Sequence, residues 1–112
     1  ELEHDIATTY TREGNLVGHI ALGLMMVREA AQGIAGLREQ RRTEIEHLVA
    51  SHHGTREHGS PVEPMSVEAF ILSAADQLDA TIFQVRRHVT DDMTDGDFTG
   101  YLPRMGRVLL KR

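Results

Sequence analysis

The chain has 112 residues, a net charge of −5 and no cysteine. That length holds one small domain, and the missing cysteine excludes disulfides, thiolate zinc sites, iron–sulfur clusters and cysteine nucleophiles. A composition 40% apolar and 26% charged is too apolar for disorder, and no apolar run approaches the ~20 residues of a membrane span. Nothing at the N-terminus reads as a signal peptide, so a cytoplasmic location without membrane contact is expected. Aromatics are scarce at 4%, which argues against a base-stacking platform. The acidic balance argues against a grip on nucleic acid through the global field. What remains conspicuous is seven histidines, which make an imidazole–carboxylate metal site the first chemistry to test.

Residues 1–15 are polar, open on Glu1 rather than methionine, and close on Glu13-Gly14-Asn15, which reads as a stop. From Leu16 an apolar set (Leu16, Val17, Ile20, Ala21, Leu24, Val27) recurs at i, i+3 and i+4. That spacing predicts a helix to about Ala31, loosened by Gly33 and Gly36. A second helix is predicted from about Leu37 to His52, with Ile45, Leu48 and Val49 facing inward. Its basic start, Arg38, Arg41 and Arg42, opposes the helix dipole, so those side chains are expected out in solvent. Gly54 to Met65 is a loop carrying Gly59-Ser60-Pro61 and Pro64. Ser66 then caps a third helix, with Glu68 in its first turn and Met65 stapled onto Phe70. This helix is expected to run to about Val89, until the acidic stretch Thr90 to Gly96 ends it. Residues Phe98 to Arg112 mix apolar and basic groups and read as a short helix or a docking tail. No strand pair is expected, so the predicted fold class is all-α. Gly14, Gly54 and Gly59 suit positive-φ turns, and none belongs to a phosphate-cradling motif.

His19 sits inside the first apolar helix, where an uncharged imidazole is either a metal ligand or a hydrogen-bonded core residue. Ser51-His52-His53-Gly54 puts two histidines at a helix end, able to aim one ring inward and one at a cleft; the alternative is plain C-capping. Asp76 and Asp79 stand at i and i+3 on the third helix. At ~100° per residue, Asp79 falls inside the apolar arc closed by Leu72 and Phe83, and Asp76 falls at its edge. A buried carboxylate there needs a metal or a partner such as Arg86 or Arg87. His47 and His88 read as surface residues, and His58, with Glu57 beside it, as a border to the site. No nucleophile is paired with a base.

Gly18-His19-Ile20, then Ala50-Ser51-His52-His53-Gly54 with Glu57 and Gly59-Ser60-Pro61-Val62, then Glu68-Ala69 and Ala75-Asp76-Gln77-Leu78-Asp79-Ala80, stand in a familiar order. Thr9 to Gly14 and Gly106-Arg107 fit the same pattern. Together they resemble the C-terminal part of the HD-domain metal-dependent phosphohydrolases, and within them the YhaM-type 3′-to-5′ exoribonucleases. The run from Ser51 to Val62 followed by Asp76-x-x-Asp79-Ala80 is the specific part of that likeness. The resemblance implies an all-helical bundle around one or two divalent ions. It implies His19, His52 and His53 as metal ligands and Asp76 as the final aspartate, preferred over Asp79 because a ligand belongs at the rim of the arc. His53 and His58 are implied on the catalytic side, the first as a ligand or a donor to phosphate and the second, with the Gly59-Ser60 backbone, bordering the substrate.

His4-Asp5 departs from the family's dyad, being followed by Ile6-Ala7 rather than Gly-Lys and lying too close to His19, and it reads as a decoy. The expectation is therefore a C-terminal portion of an HD domain whose true dyad precedes residue 1, inactive as a nuclease by itself. Within it, 1–15 is an entry segment, 16–53 a helix pair bearing His19 and His52/His53, 54–65 a loop, 66–90 the Asp76 helix and 91–112 a tail. The implied reaction is metal-assisted hydrolysis of a phosphodiester, RNA from its 3′ end, in the full-length parent. The rivals are a nucleotide or cyclic-dinucleotide phosphohydrolase of the same superfamily and a non-catalytic helical oligomerisation module. The ion is one of Mn, Fe, Ni, Zn or Mg, which nitrogen and oxygen ligands do not separate. RNA or a nucleotide is the expected partner, and exposed apolar helix faces lead to an expected homo-oligomer.

Overall fold

The chain divides after Ala74 into two units, residues 1–74 and 75–112, in a computed structural model that describes residues 2–3 and 9–111. His4-Asp5 lies outside the described residues.

The first unit opens on two short strands, β1 (Leu2–Glu3) and β2 (Thr9–Tyr10), paired antiparallel with Leu2 opposite Tyr10 and Glu3 opposite Thr9. Three helices follow: α1 (Arg12–Val17), α2 (His19–Gln32) and α3 (Glu39–Ser51). A single 3-10 turn, Arg56–His58, interrupts the next loop. The long helix α4 (Val67–Asp91) begins in the first unit and carries the chain into the second. Helices therefore dominate, as the periodicity predicts, but a strand pair exists where none was expected.

The first predicted helix is divided. Thr11, held in an extended conformation, accepts the Gly14 N–H on its hydroxyl at 3.0 Å and starts α1. Glu13-Gly14-Asn15 thus lies inside a helix rather than stopping one, and Gly14 is helical and buried rather than a positive-φ turn. The break falls at Gly18, whose φ of +87° and ψ of 152° are all but closed to other residues. Its N–H closes α1 on the Gly14 carbonyl (3.1 Å), and its carbonyl receives the Leu22 N–H (3.2 Å) at the head of α2. One glycine therefore resets the chain direction and leaves His19 as the first residue of α2.

α2 packs mainly on α3. A Cβ placed on Gly23 would lie 3.2 Å from Val49 Cγ1, so glycine lets the two helices close. Beside that contact, Arg28 of α2 grips Glu46 of α3 through two bonds of 2.9 and 2.7 Å. The shared hydrogen bonds hold the Glu46 carboxyl below its ordinary range and raise the Arg28 guanidinium above its own. Arg38 and Arg41 are exposed as expected, but Arg42 is only 28% exposed. It reaches Glu46 at 3.5 Å and Glu39 at 3.7 Å, because i,i+4 and i,i+3 carboxylates offset the unfavourable dipole.

Ser66 caps α4 by accepting the Ala69 N–H at 3.1 Å, whereas Met65 and Phe70 both remain largely exposed and form no buried staple. The apolar stripe of α4 is also uncovered, with Ile71 64% and Leu78 62% exposed. Among the described residues, Ala69 is the buried apolar side chain.

In the second unit the predicted helix or docking tail is instead a hairpin-like turn. Phe98 bridges Leu110 and Leu102 bridges Arg107, both antiparallel. The buried Thr99 donates its N–H to the Leu109 carbonyl (2.8 Å) and accepts the Leu109 N–H on its hydroxyl (3.0 Å). Asp92, just past α4, anchors this turn: it accepts the Thr94 hydroxyl, the Gly100 N–H (3.0 Å), the Thr94 N–H (3.0 Å) and the Lys111 ammonium (3.2 Å). Those donors, the Thr94 hydroxyl foremost, hold its carboxyl well below the usual carboxylate range.

Candidate metal centre

Three imidazoles converge in the first unit. His19 enters at the head of α2 because Gly18 ends α1 immediately before it. His52 is the C-cap of α3, and His53 follows as the chain turns towards Gly54. Gly54 carries a φ of +85°, and a Cβ there would meet the Ser73 Oγ at 2.8 Å. The backbone conformation calls for glycine at that turn, and a Cβ would also push the Ser73 hydroxyl aside.

The ligand-capable atoms of His19, His52 and His53 all lie within 4.8 Å of one another. His19 Nε2 and His53 Nε2 stand 2.6 Å apart, so one of them carries a proton that it donates to the other. His52 Nδ1 lies 2.6 Å from the Val49 carbonyl oxygen. A carbonyl only accepts, so Nδ1 bears the proton and Nε2 bears the lone pair. This is the arrangement by which a backbone carbonyl fixes a ligating histidine's tautomer. The capping alternative raised for His52 is thus realised at Nδ1, and it leaves Nε2 available for a metal rather than competing with it.

A donor set of three neutral nitrogens without sulfur suits a borderline divalent ion. The residues present therefore fit a metal, and the triad can hold one.

A cleft of about 400 Å³ opens beside the triad, lined on its polar side by His19, His53, Arg56, His58, Gly59 and Ser60. His58 and Gly59-Ser60 come to this cleft together. Glu57, in the same 3-10 turn, is exposed. Arg56 is a functional candidate that sequence reasoning missed, although a lone basic residue between His53 and His58 was its visible signal. His47, read as a surface residue, accepts the Met65 N–H at 2.9 Å and ties the end of the loop to α3. Its signal was absent, since the partner is backbone 18 residues away.

Both aspartates belong to the second unit. Asp76 is exposed on α4. Asp79, expected inside a buried arc, is exposed as well, because the apolar residues that define that arc are themselves uncovered. It borders a groove with Phe83, Arg87, His88 and Arg104, so the burial that would have demanded a metal or a buried ion pair does not arise.

Comparison with known proteins settles the family. The model of the family described as HD domain matches residues 2–81, well over half of the chain. The chain belongs to the HD domain family. Among curated relatives, the 3′-5′ exoribonuclease YhaM of Bacillus pumilus is 40% identical over 99 residues, covering 88% of this HD chain and 31% of the relative. The proteins of that name from Geobacillus sp. and Bacillus subtilis are each 37% identical over 99 residues, covering 88% of this chain and 30% and 31% of their own lengths. This HD chain therefore spans about a third of the length of the curated relatives it matches. No solved structure matches it. Among the described residues, no helix is long and apolar enough to cross a membrane.

Proposed function

We propose that this chain supplies metal ligands to a phosphodiesterase that removes nucleotides from the 3′ end of RNA. The convergence of His19, His52 and His53 carries the reading, and the exoribonuclease names of the relatives supply the reaction class. His19, His52 and His53 are assigned as nitrogen ligands. Asp76 is assigned as the carboxylate ligand on the strength of its Ala75-Asp76 motif alone. The ion is taken from Mn, Fe, Ni, Zn or Mg, and when bound it supplies Lewis-acid neutralisation of charge on the phosphate.

The chain's own residues do the rest. The Val49 carbonyl keeps the proton of the neutral His52 ring on Nδ1, so that Nε2 is the nitrogen left to ligate. The proton between His19 and His53 has to move off Nε2, to Nδ1 of the same ring, for both nitrogens to ligate. His53, as a ligand or a donor to phosphate, and His58 are assigned to the catalytic side of the cleft, with Gly59-Ser60 bordering the substrate.

The test is a graft. This chain replaces the matching 99-residue segment of the Bacillus pumilus relative, and the product is given a 5′-labelled oligoribonucleotide with Mn²⁺. Stepwise shortening that disappears in the His52→Ala graft is expected. An active graft whose ladder is unchanged by His52→Ala contradicts the assignment.

A further inference from the structure

We propose that Arg56 and Ser60 form an anion subsite in the histidine cleft, one that takes a phosphoryl group as a phosphomonoester or phosphodiester. It deepens the proposed function by naming side chains that grip the substrate, and it rests on that reading only for what the phosphoryl group is attached to.

Two independent features meet in the same cleft. Ser60 is 3% exposed, and its hydroxyl has no hydrogen-bond partner. Buried hydroxyls are nearly always satisfied, so an orphan one beside a cavity marks a position for a ligand atom. Arg56 lines that cavity too, and none of the ion pairs among the described residues engages it. A planar guanidinium presents parallel N–H groups that match two phosphate oxygens, which a lone ammonium cannot do.

The loop between them is tied in place. The Ser60 N–H donates to the Thr55 carbonyl (3.1 Å), and the Thr55 side chain accepts the His58 N–H (3.3 Å). Gly59 takes the left-handed conformation, with φ of +98°, that folds Ser60 back towards Thr55. The Ser60 backbone is therefore held before any ligand arrives, which lowers the ordering cost of binding. Val17, Ile20 and Leu24 form the apolar side of the cleft, and low-polarity walls strengthen a charge–charge contact. Glu57, the carboxylate in the same turn, is exposed and does not line the cleft.

The experiment uses metal-free ¹⁵N-labelled protein titrated with inorganic phosphate and, separately, with the dinucleotide UpU. Phosphate is expected to shift the Gly59 and Ser60 amide resonances saturably. Arg56→Gln and Ser60→Ala should each weaken binding, by about tenfold for the charged group and less for the hydroxyl, while Arg38→Gln leaves it unchanged. Saturable UpU shifts at the same amides show that a diester is accepted; shifts with phosphate alone restrict the subsite to a monoester or free phosphate. Amides that do not move, or that move equally in both variants, overturn the proposal. Metal uptake by the wild-type protein separates the two readings. If wild-type protein fails to take up metal while phosphate still shifts Gly59 and Ser60, the metal assignment fails and the anion subsite stands.

Discussion

The histidine cleft of the first unit and the Asp92 turn of the second treat polar groups in opposite ways. Asp92 is saturated: two backbone N–H groups, a hydroxyl and an ammonium converge on one carboxylate. In the triad beside the cleft, His52 is bonded at Nδ1 and keeps a lone pair at Nε2, and in the cleft the Ser60 hydroxyl has no partner. Groups that hold a fold together exhaust their bonding capacity, whereas groups that meet a ligand keep some in reserve. By this contrast, changes around Asp92 alter stability alone, and changes at the triad alter ligand binding first.

The largest effect that could break this contrast is at His52. His52→Ala is expected to weaken divalent-metal binding by at least about 100-fold, since even outer partners of ligands are worth 10–100-fold, with little change in melting temperature. Calorimetric titration and thermal unfolding together check it; a large stability loss would place His52 among the structural groups. The turn that aims His53 comes next. Gly54→Ala is expected to cost roughly 1–3 kcal/mol for the backbone conformation, with the Ser73 hydroxyl turning aside. Gly18→Ala meets nothing within 4 Å and should show the backbone cost alone, at a φ of +87° and ψ of 152° that only glycine adopts readily; thermal unfolding reads both losses.

The Asp92 turn is sharpened by pH. A carboxyl held below its unfolded value of about 3.9 stabilises the fold above that pH, and the contribution is lost as pH falls below it. Exchange protection of the Thr99 and Leu109 amides should therefore drop in acid. In Asp92→Asn protection should already be low at pH 7 and show no such acid step. The smallest expected effect is His47→Ala, which removes the bond to the Met65 N–H and should cost about 0.5–1.5 kcal/mol, read by urea unfolding, without changing metal affinity.

Much of the helical frame is legible in local signals. The i, i+3, i+4 apolar spacing marks α2, and Ser66 with Glu68 marks the start of α4 to within a residue. The division at Gly18 is not legible, because an apolar period runs through it unbroken and only the backbone conformation reveals the break. The tail misleads for a related reason: Leu102, Met105, Val108 and Leu109 mimic helical spacing, while the Asp92 and Thr99 bonds that impose a turn are long-range. Within the site, the motif residues His19, His52 and His53 are readable as chemistry. The Val49 carbonyl that fixes a tautomer is backbone and carries no sequence signature. Arc arithmetic on α4 fails for Asp79 because helix periodicity says which side chains share a face but not whether that face is covered.

The central claim is that His19, His52 and His53 bind one ion while His52 keeps its Nδ1 proton. The most direct measurement is a Zn²⁺ titration followed by imidazole ¹⁵N resonances. The account expects saturation at about one equivalent, with nitrogens of His19 and His53 and the Nε2 of His52 shifting together. Nδ1 of His52 should stay protonated, and His47 and His88 should stay unmoved. Imidazole nitrogens that do not respond, or a response spread equally over His47 and His88, would contradict it.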